Sequence, residues 1–168
     1  MTPEELRQCL EEAFGGLEPP ASRYLTRAYG LDSSFEEAVR TNTAAARRWQ
    51  EVRPLTRYLC SSLNILILTP EACQYYLPAF LYAMTEPQDI RRYLDPVLDR
   101  LWYEDEYGDP LYRNPDLRGQ WEKLASLLTD GQKRCIAHCL VEILKSADLH
   151  MAPGRIDYML KKYWNAWL

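Results

Sequence analysis

Only two histidines, His138 and His150, occur in this chain of 168 residues. Ser-His or Cys-His catalysis needs a nucleophile, a base and an orienting group within hydrogen-bond reach, and so few imidazoles leave little room for it. Glycine is scarce as well, at seven. The glycines fall at expected helix ends and turns, none builds a Walker loop or a dinucleotide fingerprint, and no HExxH or paired CxxC spacing occurs. A basic surplus is missing: the net charge is −4, whereas nucleic-acid binding depends on a concentrated basic surface. The longest apolar run, Leu77 to Met84, falls far short of the ~20 residues that cross a bilayer. The segment Met1 to Phe14 carries Glu4, Glu5, Glu11 and Glu12 against Arg7 alone, the opposite of a secretory signal. A cytoplasmic protein without membrane contact is expected. Five cysteines, Cys9, Cys60, Cys73, Cys135 and Cys139, are odd in number and fit reduced core thiols better than a disulfide framework.

What is present is apolar surface in helical register. The apolar fraction is 47% and the charged fraction 26%, ordinary for a globular chain, while 12 Tyr and 5 Trp against 3 Phe are not. Aromatic rings with polar handles suit interfaces and wet-edged cores. The length predicts one domain over residues 1–168 that buries roughly 70% of the surface its unfolded form exposes.

Thr2-Pro3-Glu4-Glu5 opens a first helix with a capping box, Leu6, Cys9, Leu10, Ala13 and Phe14 keep its register, and Gly15-Gly16 ends it. Ser33 or Ser34 could cap a short helix with Phe35, Ala38 and Val39, and Thr41 to Tyr58 reads as helix broken at Pro54. Asn64 to Leu68 is apolar but lacks a pairing strand, so it reads as loop. Thr69-Pro70 is the strongest start. The helix that follows carries Cys73, Tyr76, Leu77, Phe80, Leu81 and Met84 on one stripe and Tyr75, Pro78, Ala79 and Tyr82 on another, so it should be central, with a kink at Pro78.

Thr85-Glu86-Pro87-Gln88 reads as another capping box, before a helix that bends at Pro96 and carries Ile90, Tyr93, Leu94, Val97, Leu98, Leu101 and Trp102. Glu104 to Leu117 is the longest expected loop. Trp121, Leu124, Ala125 and Leu128 restore helical period, and Thr129-Asp130-Gly131-Gln132 caps a helix with Ile136, Leu140, Ile143 and Leu144. Pro153 opens a last helix, with Ile156, Met159, Leu160, Tyr163, Trp164 and Trp167, running to the C-terminus. The expectation is an all-α bundle of about six to eight helices around a kinked central one.

With these residues placed, Leu68 to Leu81, read as LTPEAxxYYLPAFL, resembles the signature of a bacterial domain-of-unknown-function family. Arg48-Trp49-Gln50-Glu51-Val52 is similar to that family's tryptophan segment, and Leu128-Thr129-Asp130-Gly131-Gln132 to its LTxxQ segment. Cys73 stands where an aromatic residue is usual, and the Glu104 to Leu117 insertion is longer than typical. The resemblance implies a bacterial, helical, soluble protein and transfers no functional residue.

Candidate chemistry is thin. Cys135-x-x-His138-Cys139 spaces two thiols and an imidazole as a zinc site would if His150 gave a fourth ligand, but the core stripe centred on Leu140 and Ile143 makes flank thiols beside an exposed histidine the plainer reading. Asp95 and Asp99 share a helix face, a pairing common on solvated helices. No catalytic residue, metal ligand or cofactor is assigned. Arg40, Arg47, Arg48, Arg53 and Arg57 outweigh Glu51 around Trp49, a pattern that elsewhere touches nucleic acid; intramolecular ion pairs, with Trp49 in the core, are the simpler expectation. The clearest electrostatic feature is Thr85 to Asp109, where eight acids against three arginines leave a balance of −5. Asp99, Tyr103, Glu104, Asp105, Glu106, Tyr107 and Asp109 are the candidate partner-binding residues, because an acidic, tyrosine-bearing segment can steer and then grip a basic protein. The spacing of Glu104 to Asp109 lacks the ligand pattern and glycine of an EF-hand. An immunity-type protein that occludes a cognate toxin is the leading functional expectation, with an enzyme or ligand-binding protein, or a nucleic-acid-contacting regulator, as alternatives.

Overall fold

Proline is the first residue of five of the six described α-helices, the position where a missing N–H costs nothing and a fixed φ favours the helix. The computed structural model describes residues 1–20, 48–51, 65, 68–85, 87–102, 115–145 and 153–168. In chain order the helices are α1 (Pro3–Phe14), α2 (Pro70–Ala83), α3 (Pro87–Leu101), α4 (Pro115–Leu127), α5 (Asp130–Lys145) and α6 (Pro153–Lys162), followed by a 3₁₀ turn, Trp164–Trp167. The fold is all-α, and its helices pack as a bundle.

The starts form for local reasons. Thr2 accepts from the N–H of Glu5 while the Glu5 carboxylate accepts from the N–H of Thr2, and Thr69 accepts from the N–H of Ala72 at 3.1 Å. Each bond satisfies a donor that the first turn leaves without a partner. Thr85 behaves differently from the expected cap: α3 begins only at Pro87, and the Thr85 hydroxyl donates to the carbonyl of Tyr82 at 2.7 Å. It closes α2. Gly15 ends α1 in the right-handed region, at φ −65°. Its N–H reaches the Glu11 carbonyl at 2.8 Å, and a Cβ there would lie 2.4 Å from that oxygen. Close approach, not a left-handed turn, is what requires glycine here.

Helix α2 is buried around nearly its whole circumference, from Ala72 and Cys73 through Tyr75, Tyr76, Leu77, Pro78, Ala79, Phe80 and Leu81 to Ala83, and it packs against α1, α3 and α4. It is central, as its paired stripes predict. Helix α5 is the second hub, in contact with α1, α6 and the 3₁₀ turn. One continuous cluster of buried side chains draws on all six helices, and Trp49, Ile65 and Leu68 join it.

Other expectations change. Within Thr41 to Tyr58, the described residues Arg48 to Glu51 form a turn rather than helix, closed by the N–H of Glu51 on the Arg48 carbonyl and the N–H of Arg48 on the Glu51 carboxylate. Side-chain capping of the turn competes with helix. The last three residues of the expected Glu104 to Leu117 loop belong to α4, because Pro115 is a helix start and not a breaker. The final helix stops at Lys162. Tyr163, at φ −139°, breaks it, and the chain beyond swings Trp164 to full burial, which outweighs a few terminal helical bonds. Cys139 is in the core rather than on its flank, because the buried face of α5 is wider than the stripe through Leu140 and Ile143. The Ser33 or Ser34 helix, residues 66 and 67, Cys60 and His150 lie outside the described residues.

Candidate functional site

Helix α3 turns Ile90, Tyr93, Leu94, Val97, Leu98 and Leu101 inward and leaves Asp95 and Asp99 exposed. The i, i+4 spacing that lines up its apolar residues also lines up its acids on the far side. Asp99 is not a bare charge: Arg155 of α6 donates to it through Nη2 at 2.5 Å. Of the candidate partner-binding residues, the structure therefore places Asp99 on the outer face of α3. Tyr103, Glu104, Asp105, Glu106, Tyr107 and Asp109 lie outside the described residues. Arg155, remote in sequence, went unrecognised as the partner of Asp99; no local spacing announces it.

Arg100 sits one residue on and points the other way. It is 2% exposed, its Nη2 donates to the carbonyl of Leu68 at 2.8 Å, and it ties the end of α3 to the residue preceding the cap of α2. Counted in sequence as part of a mixed acidic run, it lies inside, while Arg155 of α6 brings a positive charge to Asp99 on the outer face. Trp102 follows, half-buried, against Trp121 at 6.1 Å and Tyr163 at 6.3 Å between ring centroids. Trp121, Tyr163 and Trp164 close on one another at 5.0–5.7 Å. Trp102, at the end of α3, thus belongs to a cluster of four aromatic rings.

The segments that carry the family resemblance are architectural ties. Thr129 and Gln132 cap α5 reciprocally, and the buried Gln132 amide reaches further. Its Nε2 donates to the carbonyl of Ala13 at the end of α1, and its Oε1 accepts from Nε2 of Gln74 on α2. Gln74 Nε2 also donates to the carbonyl of Leu127. Two side-chain amides join α1, α2, α4 and α5. Trp49, 1% exposed, meets Tyr82 edge-on at 6.2 Å, and its backbone hydrogen-bonds the Tyr75 hydroxyl, whose pKa burial raises above the ordinary value. Arg7 lies over the Tyr82 ring at 5.1 Å and donates through Nε to Thr85. Trp49 is a core residue, as the simpler expectation held, and of the arginines in the Arg40 to Arg57 segment the exposed Arg48 beside it lies within the described residues.

Thiols gather where α1 meets α5. Cys135 and Cys139 are fully buried, Cys9 is half-buried, and all are free. Cys135 is near enough to Cys9 and to Cys139 for these thiols to influence one another's titration. Burial pushes the Cys9 thiol up to about 12, with Cys135 and the nearby Glu12 acting in the same direction. Cys135 is raised further, chiefly by Cys139 and by burial. Such thiols are protonated and poor nucleophiles at neutral pH. His138 is half-buried, and among the described residues no group of three or more His, Cys, Asp or Glu is placed to hold a metal ion.

Helices long and apolar enough to cross a membrane are absent among the described residues. A family model described as a family of unknown function matches residues 2–168. No curated protein and no solved structure matches the chain.

Proposed function

We propose that this chain, which belongs to the family of unknown function DUF6714, acts by holding another protein, and that it uses the acidic outer face of α3 and the acidic residues 103–109 that follow in sequence. The observation that carries this reading is the division of α3: Ile90, Tyr93, Leu94, Val97, Leu98 and Leu101 face the core, Arg100 is drawn inside, and Asp95 and Asp99 face out within the segment Thr85 to Asp109, whose sequence balance is −5. Acidic surface of that kind raises the encounter rate with a basic partner, and tyrosines supply contact area that desolvates at modest entropic cost. The buried Gln132 supports the same reading, because with Gln74 and Thr129 it is engaged in holding helices together.

An immunity-type role, in which a cytoplasmic chain of this kind blocks the basic active-site cleft of a cognate toxin, is the specific form proposed. Co-expression with a basic toxin encoded beside the gene is the test. Protection of the cells and a stoichiometric complex are expected, and the triple reversal Glu104→Lys, Asp105→Lys, Glu106→Lys should weaken the complex at least tenfold and more steeply at low salt. Unprotected cells with both proteins folded, or a complex indifferent to the reversal, would overturn the reading.

A further inference from the structure

We propose, on the premise that the acidic face of α3 is the docking surface, that Arg155 is a tethered stand-in for a cation of the partner. It occupies Asp99 in the free protein, and an arginine or lysine of the partner displaces it on docking. The contact lies on the outside of the molecule. Arg155 Nη2 is 2.5 Å from Asp99 Oδ1, and the two side chains are 29% and 45% exposed, so an incoming side chain reaches the carboxylate without opening the core. Asp95, one turn earlier on the same helix, is exposed as well and adds to the field that draws a cation in.

Both charges sit at the end of the helix that disfavours them. Asp99 is in the last turn of α3, where carbonyls without helical partners already make the negative pole. Arg155 is in the first turn of α6, which holds no acid and whose N–H groups make the positive pole. Neither helix gains from its own charge, so each charge is satisfied by the other. Asp99 and the carbonyl end of α3 together attract a cation more strongly than a lone carboxylate does, and the guanidinium found there shows the chemistry the position accepts. The other cation of that turn, Arg100, is engaged inside with the Leu68 carbonyl. Exchange is cheap. An exposed ion pair gains little over water and is weakened by salt, whereas a close charge pair enclosed at an interface loses much of that screening. Arg155 thereby discriminates: a weakly basic surface leaves it in place, and one that presents arginine or lysine amid further positive charge replaces it.

A nona-arginine peptide is the probe, titrated into the intact chain at low ionic strength and followed by fluorescence anisotropy. Arg155→Gln should tighten binding about two- to fivefold beyond the gain from Arg134→Gln, which removes an equal charge from the exposed side of α5. In an Asp99→Asn background the two arginine variants should become equal, and with Asp99 intact the excess should fade at high salt. If a variant does not fold, the unaltered chain decides: the NMR signal of the Arg155 guanidinium should move towards that of free arginine as the peptide saturates. An Arg155→Gln gain no larger than that of Arg134→Gln, an excess that survives Asp99→Asn, or an unmoved guanidinium signal would overturn the exchange and leave the docking face standing. A peptide that does not bind, or that binds the reversal Glu104→Lys, Asp105→Lys, Glu106→Lys equally well, would overturn the docking face and the exchange with it.

Discussion

Gln132 does more in this fold than its size suggests, because one amide caps a helix, accepts from a second glutamine and holds the last turn of α1. Gln132→Ala would leave buried donors and an acceptor without partners, and a loss of about 2–4 kcal/mol in a urea unfolding series is expected. A loss under 1 kcal/mol would mean that water replaces the amide. Glycine gives a paired test. Gly15→Ala sets a Cβ against the Glu11 carbonyl and should destabilise by roughly 1–2 kcal/mol. At Gly119, exposed within α4 with nothing near the added carbon, alanine should stabilise by about 0.5–1 kcal/mol. Equal effects at the two sites would refute the geometric distinction.

Among elements, the caps and stripes were legible in advance and the departures have tertiary causes. Thr2, Thr69 and Thr129 each cap the helix that their spacing announces, because capping is settled within four residues. Thr129→Ala should therefore cost about 1 kcal/mol of stability, read as a shifted urea midpoint with an unchanged slope. Thr85 shows the limit of that reasoning: the same motif is diverted when the Tyr82 carbonyl and the Arg7 guanidinium lie within reach. The acidic side of α3 could be read from its spacing, whereas the Arg155 that partners Asp99 comes from a helix 56 residues away. Asp99→Asn should change stability by less than about 1 kcal/mol, since an exposed pair gains little over water.

At the scale of the molecule, titration links stability to pH on both sides. The Cys9 thiol ordinarily titrates at 9.0 but at about 12 in the fold, where it faces Cys135, with Cys139 behind, and shares its own helix with Glu12. Between those values the unfolded chain binds fewer protons than the native one, so stability falls as pH rises from about 9 towards 12. Tyr75 and Tyr163, raised by burial, add to the decline at its upper end. Urea midpoints measured from pH 8 to 10.5 should fall, and Cys9→Ser should flatten the first part of that fall; an unchanged slope in the variant would refute the assignment. On the acid side, Lys123 holds the Glu71 carboxyl, and Lys145 the Glu142 carboxyl, below the ordinary value. Their stabilisation is present above pH 4.5 and lost as pH falls through the lowered values. A single cooperative transition is expected throughout, because one buried cluster joins all six described helices.

Local chemistry determined the helices themselves: prolines and threonines at the starts, apolar residues three and four apart, and an almost wholly apolar α2 that had to lie at the centre. These are interactions within a turn or two, and the order of residues contains them. Only the tertiary structure decided which helix faces meet, since a side chain's partner there is chosen by the packing of whole surfaces. That is why Gln132 finds Ala13 across 119 positions, why Arg100 is drawn beneath Leu68, and why the last helix gives way at Tyr163 so that Trp164 can be buried.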